Sequence, residues 1–175
     1  LKYSRIGFGS WLDKDHDGKP DHPEDGLIAS TFYNPVSNSL FVVFRGTPKG
    51  AWLDNAKMLT GDSTYSKLFL DHAGRLWRYL SPMQTEAMEY LQDILARFRA
   101  VGNDIGCHYV CGHSKGGNQA QLAGMIYKDY FDVSFSFNGP GMSDATIQEL
   151  QSNLGEARFL EASYRLYGVN VANDY

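Results

Sequence analysis

Six consecutive residues, Gly112-His113-Ser114-Lys115-Gly116-Gly117, have the types and spacing to carry nucleophilic chemistry. A Gly-x-Ser-x-Gly run can place a serine at the tip of a sharp strand-to-helix turn, with glycine where side chains would collide. A β-rich stretch, Ile105 to Cys111, leads in, and a helix-capable stretch, Asn118 to Tyr130, leads out. In that setting the Ser114 hydroxyl stands at the C-terminal edge of a sheet. The positive end of the following helix then favours a developing negative charge. The N–H of Lys115, the residue after the serine, becomes one oxyanion donor. The chemistry implied is attack by Ser114 on an acyl carbon. An ordinary Gly- and Ser-containing turn is the bland alternative, and the flanking strand and helix argue against it.

A second candidate site is Asp13-Lys14-Asp15-His16-Asp17-Gly18-Lys19-Pro20-Asp21-His22-Pro23-Glu24. Acids fall at positions 1, 3, 5, 9 and 12 of a calcium-type loop, with glycine at position 6 for the bend. Asp13, Asp15, Asp17, Asp21 and Glu24, with the carbonyl of Lys19, provide the oxygens that Ca2+ requires. Pro20 departs from the EF-hand pattern, no convincing helix precedes the loop, and a strand follows it. The loop therefore resembles the isolated Asp-rich calcium loops of bacterial proteins. The expected role is structural, and a solvated acidic turn is the alternative. The two cysteines, Cys107 and Cys111, lie on one strand. Their Cα atoms would be about 13 Å apart, too far for a disulfide.

The elements that must position these residues follow from periodicity and turn chemistry. Leu1 to Leu12 shows no clear period. Leu27–Tyr33 and Ser39–Phe44 read as strands of a hairpin around Asn34-Pro35-Val36-Ser37-Asn38. The second is nearly all apolar and is expected to be central and buried on both faces. Ala51–Leu59 reads as a short amphipathic helix. Thr60–Leu80 mixes small polar residues with Tyr65, Phe69, Trp77 and Tyr79. It reads equally as an apolar lid or as core. Ser81 and Pro82 open a long helix, at N-cap and N1, that Gly102 ends. After the Ser114 turn and its helix, 115–130, come a strand Val133–Phe137, a helix near Ser143–Asn153 and a last strand Ala162–Val171. Strand–helix alternation predicts an α/β fold, a mostly parallel sheet in a single domain, with right-handed crossovers putting both faces under helices.

Length and composition fit that reading. The chain has 175 residues, 43% hydrophobic and 21% charged, enough for one sizeable core. A net charge of −4 gives no reason to expect nucleic acid. No apolar run is long enough to span a membrane, and no secretory signal is visible in a chain that begins at Leu1. Calcium, scarce in cytosol, leans towards an extracellular setting.

Phe44-Arg45-Gly46-Thr47 after an apolar strand, then Gly-His-Ser-Lys-Gly-Gly-Asn at 112–118, resembles the class 3 lipases of the α/β-hydrolase superfamily. Trp52-Leu53-Asp54-Asn55 and Gly139-Pro140-Gly141 make it similar to a bacterial lipase-like branch. The resemblance covers about residues 26 to 175. It implies an α/β-hydrolase-like fold, truncated at the C-terminus, and a small-molecule or lipid ester as substrate, with possible contact to a membrane surface. It also implies that Thr47 lies at the oxyanion hole and that Arg45 ties loops together.

In such folds the order is serine, then acid, then histidine. Asp174, just past the last expected strand, is the first choice of acid, and Asp144 the second. No histidine follows His113; the five present are His16, His22, His72, His108 and His113. His72 as base would break the order. The base is therefore expected beyond Tyr175. The reading is a serine ester hydrolase of the lipase, phospholipase or carboxylesterase kind. A catalytically inactive binding module on the same fold, or an acyltransferase using the same serine, is the alternative.

Overall fold

A computed structural model describes residues 4–9, 27–46, 68–100 and 107–171. Its main sheet has six strands: β1 (Ser4–Gly9), β2 (Ala29–Asn34), β3 (Ser39–Phe44), β6 (Cys107–His113), β7 (Val133–Phe137) and β8 (Leu166–Val169), in the order β1-β2-β3-β6-β7-β8. β1, β2 and β3 pair antiparallel, whereas β3, β6, β7 and β8 run parallel. A two-stranded ribbon, β4 (Phe69–Leu70) with β5 (Leu76–Trp77), stands apart. The helices among the described residues are α1 (Pro82–Ala100), α2 (Lys115–Ile126), α3 (Asp144–Leu154) and α4 (Glu156–Ser163).

The expected hairpin forms in register, from Ala29↔Phe44 to Asn34↔Ser39. Its turn is shaped by Asn34, whose Oδ1 accepts from the N–H of Val36 at 3.0 Å, and by Asn38 at φ 50. Short polar side chains that bond to nearby backbone favour such turns. Helix α1 starts where Ser81 and Pro82 predict. The Ser81 N–H donates to Gln84 Oε1 at 2.7 Å and the Gln84 N–H to Ser81 Oγ at 3.3 Å, a reciprocal capping box. Ser143 caps α3 in the same manner, its Oγ accepting the Thr146 N–H at 3.2 Å.

Two elements differ from expectation. Leu1–Leu12 contains a strand, β1, whose register with β2 breaks between Arg5 and Gly7; an irregularity there interrupts the two-residue alternation that would reveal it. The expected strand from Ala162 is mostly preceded by helix, because α4 occupies 156–163 before β8 begins at Leu166. Gly155, at φ 76, ends α3 and opens α4 at once. Ala162 is the buried residue of α4, with Phe159 partly buried against the core, and at eight residues the helix offers barely two turns of period to read.

The helices also lie differently. β3, β6, β7 and β8 advance across the sheet in one direction, so right-handed crossovers stack their helices on one face. Thr31 reaches Tyr90 of α1 at 2.5 Å, and Ser134 Oγ donates to the Ala120 carbonyl of α2 at 2.7 Å. Leu40, Val42, Phe44 and Val110 fill that covered face. Phe41, Val43, Tyr109, Cys111 and Phe135, on the opposite face, are only half-buried. β3 is thus central but not buried on both faces. In β7 the small serines, not the phenylalanines, point at the helices, which lets α2 approach closely. A Cβ on Gly124 would sit 2.7 Å from Ser134 Cβ.

Within 68–80, Phe69, Trp77 and Leu80 are buried in the core. Trp77 Nε1 donates to Asp71 Oδ2 at 3.0 Å. Glu149 holds the following turn by accepting the N–H groups of Arg78 and Tyr79, at 2.8 and 3.1 Å. Residues 60–67, Gly102 and the expected helix 51–59 lie outside the described residues. Among the described residues no helix is long and apolar enough to cross a membrane.

Candidate active site

β6 delivers the chain to His113, and α2 begins at Lys115, so the whole reversal falls on Ser114. Ser114 has φ 55 and ψ −125, a conformation that L-residues other than glycine rarely adopt. Its backbone is held on both sides. The Ser114 N–H donates to the Phe137 carbonyl at 2.8 Å, and its own carbonyl accepts from Gly117 at 2.8 Å and Asn118 at 3.3 Å. The side chain makes no capping bond to the helix.

Glycine is required around the serine by contact. A Cβ on Gly112 would lie 2.1 Å from the Gly116 carbonyl oxygen, and one on Gly116 would lie 2.3 Å from that of Phe44. On Gly117 it would meet Ser136 Oγ at 2.6 Å and Gly139 Cα at 2.9 Å. The first turn of α2 is thereby pressed between the ends of β3 and β7. No acidic side chain sits in that turn to offset the positive end of the helix.

Ser114 opens into a cleft of 720 Å³, bordered by Val43, Arg45, Gly46, His113 and Phe137 among others. Gly46 crosses close to the elbow; its Cβ position would be 2.9 Å from the His113 carbonyl oxygen and 3.4 Å from Ser114 Cβ. Thr47, the next residue, lies outside the described residues. The Lys115 side chain is buried, and its Nζ lies against Met83 Sδ. Arg45 is exposed at the rim. Cys111 also borders the cleft, and burial pushes its thiol above the usual range, which favours the protonated form. Both cysteines are free.

The histidines divide clearly. His72 stacks on Tyr127 with ring centroids 5.3 Å apart, beyond the C-terminal end of α2, whereas Ser114 sits at its start. Twelve helical residues separate those ends by about 18 Å. His108 packs edge-on against Phe131, its ring centroid 6.2 Å away, and lies some six strand residues, about 20 Å, below Ser114. Neither can take the serine's proton. His113 is exposed and borders the cleft, next to Ser114 in the chain. Asp144 is exposed in the first turn of α3, where its charge complements the helix, and does not border the cleft. Asp174, His16, His22 and the loop of Asp13, Asp15, Asp17, Lys19, Asp21 and Glu24 lie outside the described residues. Among the described residues no cluster of three His, Cys, Asp or Glu could hold a metal ion.

Two asparagines have roles that the sequence analysis did not assign, although Asn118 ends its 112–118 motif. Asn118, fully buried, donates to the Gly141 carbonyl at 3.0 Å and accepts from Gln84 Nε2 at 2.8 Å. It joins the elbow helix, the capping box of α1 and the Gly139–Gly141 loop. Its place directly after the two glycines was the available signal. Asn138, at φ 47, had none beyond preceding Gly-Pro-Gly.

A fungal lipase solved with an inhibitor, in work on interfacial activation, superposes on this chain with a TM-score of 0.52 at 14% identity. The match takes in 86% of this chain and 54% of that one. The fold is α/β-hydrolase-like. Lip2 lipase from Yarrowia lipolytica matches with a TM-score of 0.49 at 18% identity, over 83% of this chain and 52% of that one. A triacylglycerol lipase from Penicillium expansum matches with a TM-score of 0.49 at 11% identity, over 96% and 58%. The chain thus spans about half the length of the solved lipases it matches. Residues 76–159 match the family model described as Mbeg1-like. No curated protein matches. In this α/β-hydrolase-like fold, β6, Ser114 and α2 form a strand, a sharp turn and a helix, the local geometry that a nucleophile elbow requires.

Proposed function

We propose that the protein is a serine hydrolase of carboxylic esters, lipase- or esterase-like, acting through an acyl-enzyme on Ser114. The observation that carries this reading is Ser114 itself: a non-glycine residue kept at φ 55 and ψ −125 between β6 and α2, facing an open cleft. A strained backbone at a cleft is a common mark of a working residue. Ser114 Oγ attacks the acyl carbon as its proton passes to a histidine. The N–H groups of Lys115 and Thr47 receive the oxyanion; Gly46 lying against the elbow supports Thr47 in that role. The leaving alcohol takes the proton, and water then releases the acid by the reverse path.

Asp174 orients the base, which comes from a histidine outside residues 1–175. The positions of His72 and His108 favour that source over any described histidine except His113. The substrate is a small-molecule or lipid ester, met at a membrane surface if lipid. The loop of Asp13, Asp15, Asp17, Lys19, Asp21 and Glu24 holds a structural Ca2+, on the strength of its oxygen donors alone, and an extracellular setting goes with it. The test is hydrolysis of p-nitrophenyl butyrate by the full chain and by Ser114→Ala. Loss of roughly 10⁴-fold or more in kcat supports the reading. Equal turnover by both proteins, or none by either, favours the inactive binding module. Transfer of the acyl group to an added alcohol in preference to water identifies an acyltransferase.

A further inference from the structure

The cleft beside Ser114 lies on the half-buried face of the sheet. Val43, Cys111 and Phe137 border it from strand positions that alternate with the covered Phe44, Val110 and Ser136. With Ile28 they give it an apolar floor. Arg45 continues that alternation past the end of β3. Its N–H donates to the Ile28 carbonyl at 2.9 Å, one step beyond the pair Ala29↔Phe44, so its backbone stays in the sheet and its side chain falls on the face of Val43. On its other side, the register Phe44↔Gly112 sets Arg45 beside His113, about 5 Å away across the ladder. Ser114 is the next residue.

Arg45 is the one permanent charge among the described residues that border the cleft, and no Asp or Glu is among them. The residue is exposed at the rim, and among the described residues its guanidinium has no ion-pair or hydrogen-bond partner. The guanidinium groups of Arg75, Arg97, Arg158 and Arg165, by contrast, each meet a carboxylate. A planar fork of donors, held at the mouth of a cleft and left unpaired, matches a carboxylate or a phosphate. The positive end of α2, with no acid in its first turn, adds to the same sign of field. We propose that the cleft selects esters whose alcohol part is negatively charged, with Arg45 as the specificity-determining residue. The acyl part lies on the apolar floor. The anionic group stays at the wet rim against Arg45, where neither charge has to leave water. The inference rests on the reading of Ser114 as the nucleophile.

The test gives the full chain two butyrate esters, one of 3-hydroxybenzoate and one of its neutral isostere 3-hydroxybenzamide. The quantity read is the ratio of kcat/KM, carboxylate over amide, from the phenol released. Comparing that ratio between proteins cancels the difference in leaving-group reactivity. Arg45→Gln is expected to lower it by about 3- to 10-fold at low salt, the size of one exposed charge pair. Arg45→Lys is expected to keep most of it, and Arg45→Glu to lower it further. The wild-type ratio is expected to fall towards that of Arg45→Gln between about 0.01 M and about 1 M salt, as screening shortens the reach of the charge. A merely structural arginine slows both esters together and leaves the ratio and its salt dependence where they were. That result overturns the proposal while leaving the nucleophile intact, and so does an Arg45→Lys ratio as low as that of Arg45→Gln. Wild-type protein that hydrolyses neither ester, or Ser114→Ala that hydrolyses both as fast, defeats the nucleophile reading itself, and this inference with it.

Discussion

The Ser114 N–H donates to the carbonyl of Phe137 at 2.8 Å. The bond continues the β6–β7 ladder one step past its last register pair, His113↔Phe137. It therefore anchors the nucleophile candidate to the neighbouring strand at the point where its own strand ends. A serine at φ 55 and ψ −125 carries strain of about 1–3 kcal/mol, which persists only where surrounding structure over-determines it. Here that structure is the Phe137 bond, the bonds from Gly117 and Asn118, and glycines that let three backbones touch.

Gly116 makes the sharpest stability prediction. Its missing Cβ would lie 2.3 Å from the Phe44 carbonyl oxygen, and backbone cannot yield cheaply. Gly116→Ala should lose about 2–3 kcal/mol in urea denaturation, with β3 forced away from α2. Gly141→Ala is the matched control, because a Cβ there meets nothing within 4 Å; it should change stability by less than about 0.5 kcal/mol. Equal effects at the two positions would contradict the packing described.

Gly46 predicts a different pattern. A Cβ there would press on the His113 carbonyl at 2.9 Å and approach Ser114 Cβ at 3.4 Å, so the backbone at Gly46 must shift away from the elbow. Gly46→Ala is expected to lower kcat for p-nitrophenyl butyrate by about 10- to 100-fold with KM little changed, since an oxyanion donor acts mainly in the transition state. A raised KM at unchanged kcat would place this loop at substrate binding instead.

The strand, turn and helix around Ser114 were legible because glycine positions there answer to contact, and contact leaves a fixed spacing. The capping box at Ser81 and the hairpin at Asn34 were legible for the same reason: one local geometry demands particular side chains. The gathering of the described helices on one face of the sheet was not. It follows from strand order, and neither Phe41 nor Tyr109 reveals by type which face of the sheet will be covered. Helix α4 was missed because it is only eight residues long and follows α3 after the single residue Gly155, and β1 because its pairing is interrupted at Arg5. Asn118 was visible as the end of the 112–118 motif, but its bond to Gln84, like that of Asn138 to Val171, is long-range and no local pattern encodes it.

His108 gives the pH dependence. Burial holds it below the ordinary histidine value, with the Asp132 carboxylate acting the other way. As pH falls, the unfolded chain binds the proton first, at about pH 6.5. The stability that neutral His108 contributes is full above that pH and is lost as pH drops through its lower folded value. Burial lowers His72 in the same direction, against Asp71. Unfolding free energy should therefore fall between pH 7 and 5, and fall less steeply in His108→Gln. Parallel slopes in the two proteins would contradict the assignment.

The Asp13–Glu24 loop predicts a metal dependence separate from the serine. Added Ca2+ should raise the thermal midpoint and a chelator should lower it, by mass action on the folded state. Asp15→Ala together with Asp17→Ala should abolish the difference while leaving the Ser114 chemistry in place. An identical midpoint with and without Ca2+ would mark the loop as a solvated turn.

The account depends most on Ser114 being an activated nucleophile. Its direct test is peptide mass analysis of the full chain after brief exposure to an alkyl fluorophosphonate. A single adduct on the peptide containing Ser114, absent after heat denaturation before exposure and absent in Ser114→Ala, is the predicted result. An unmodified Ser114 in folded protein, or the same adduct yield after denaturation, would contradict it.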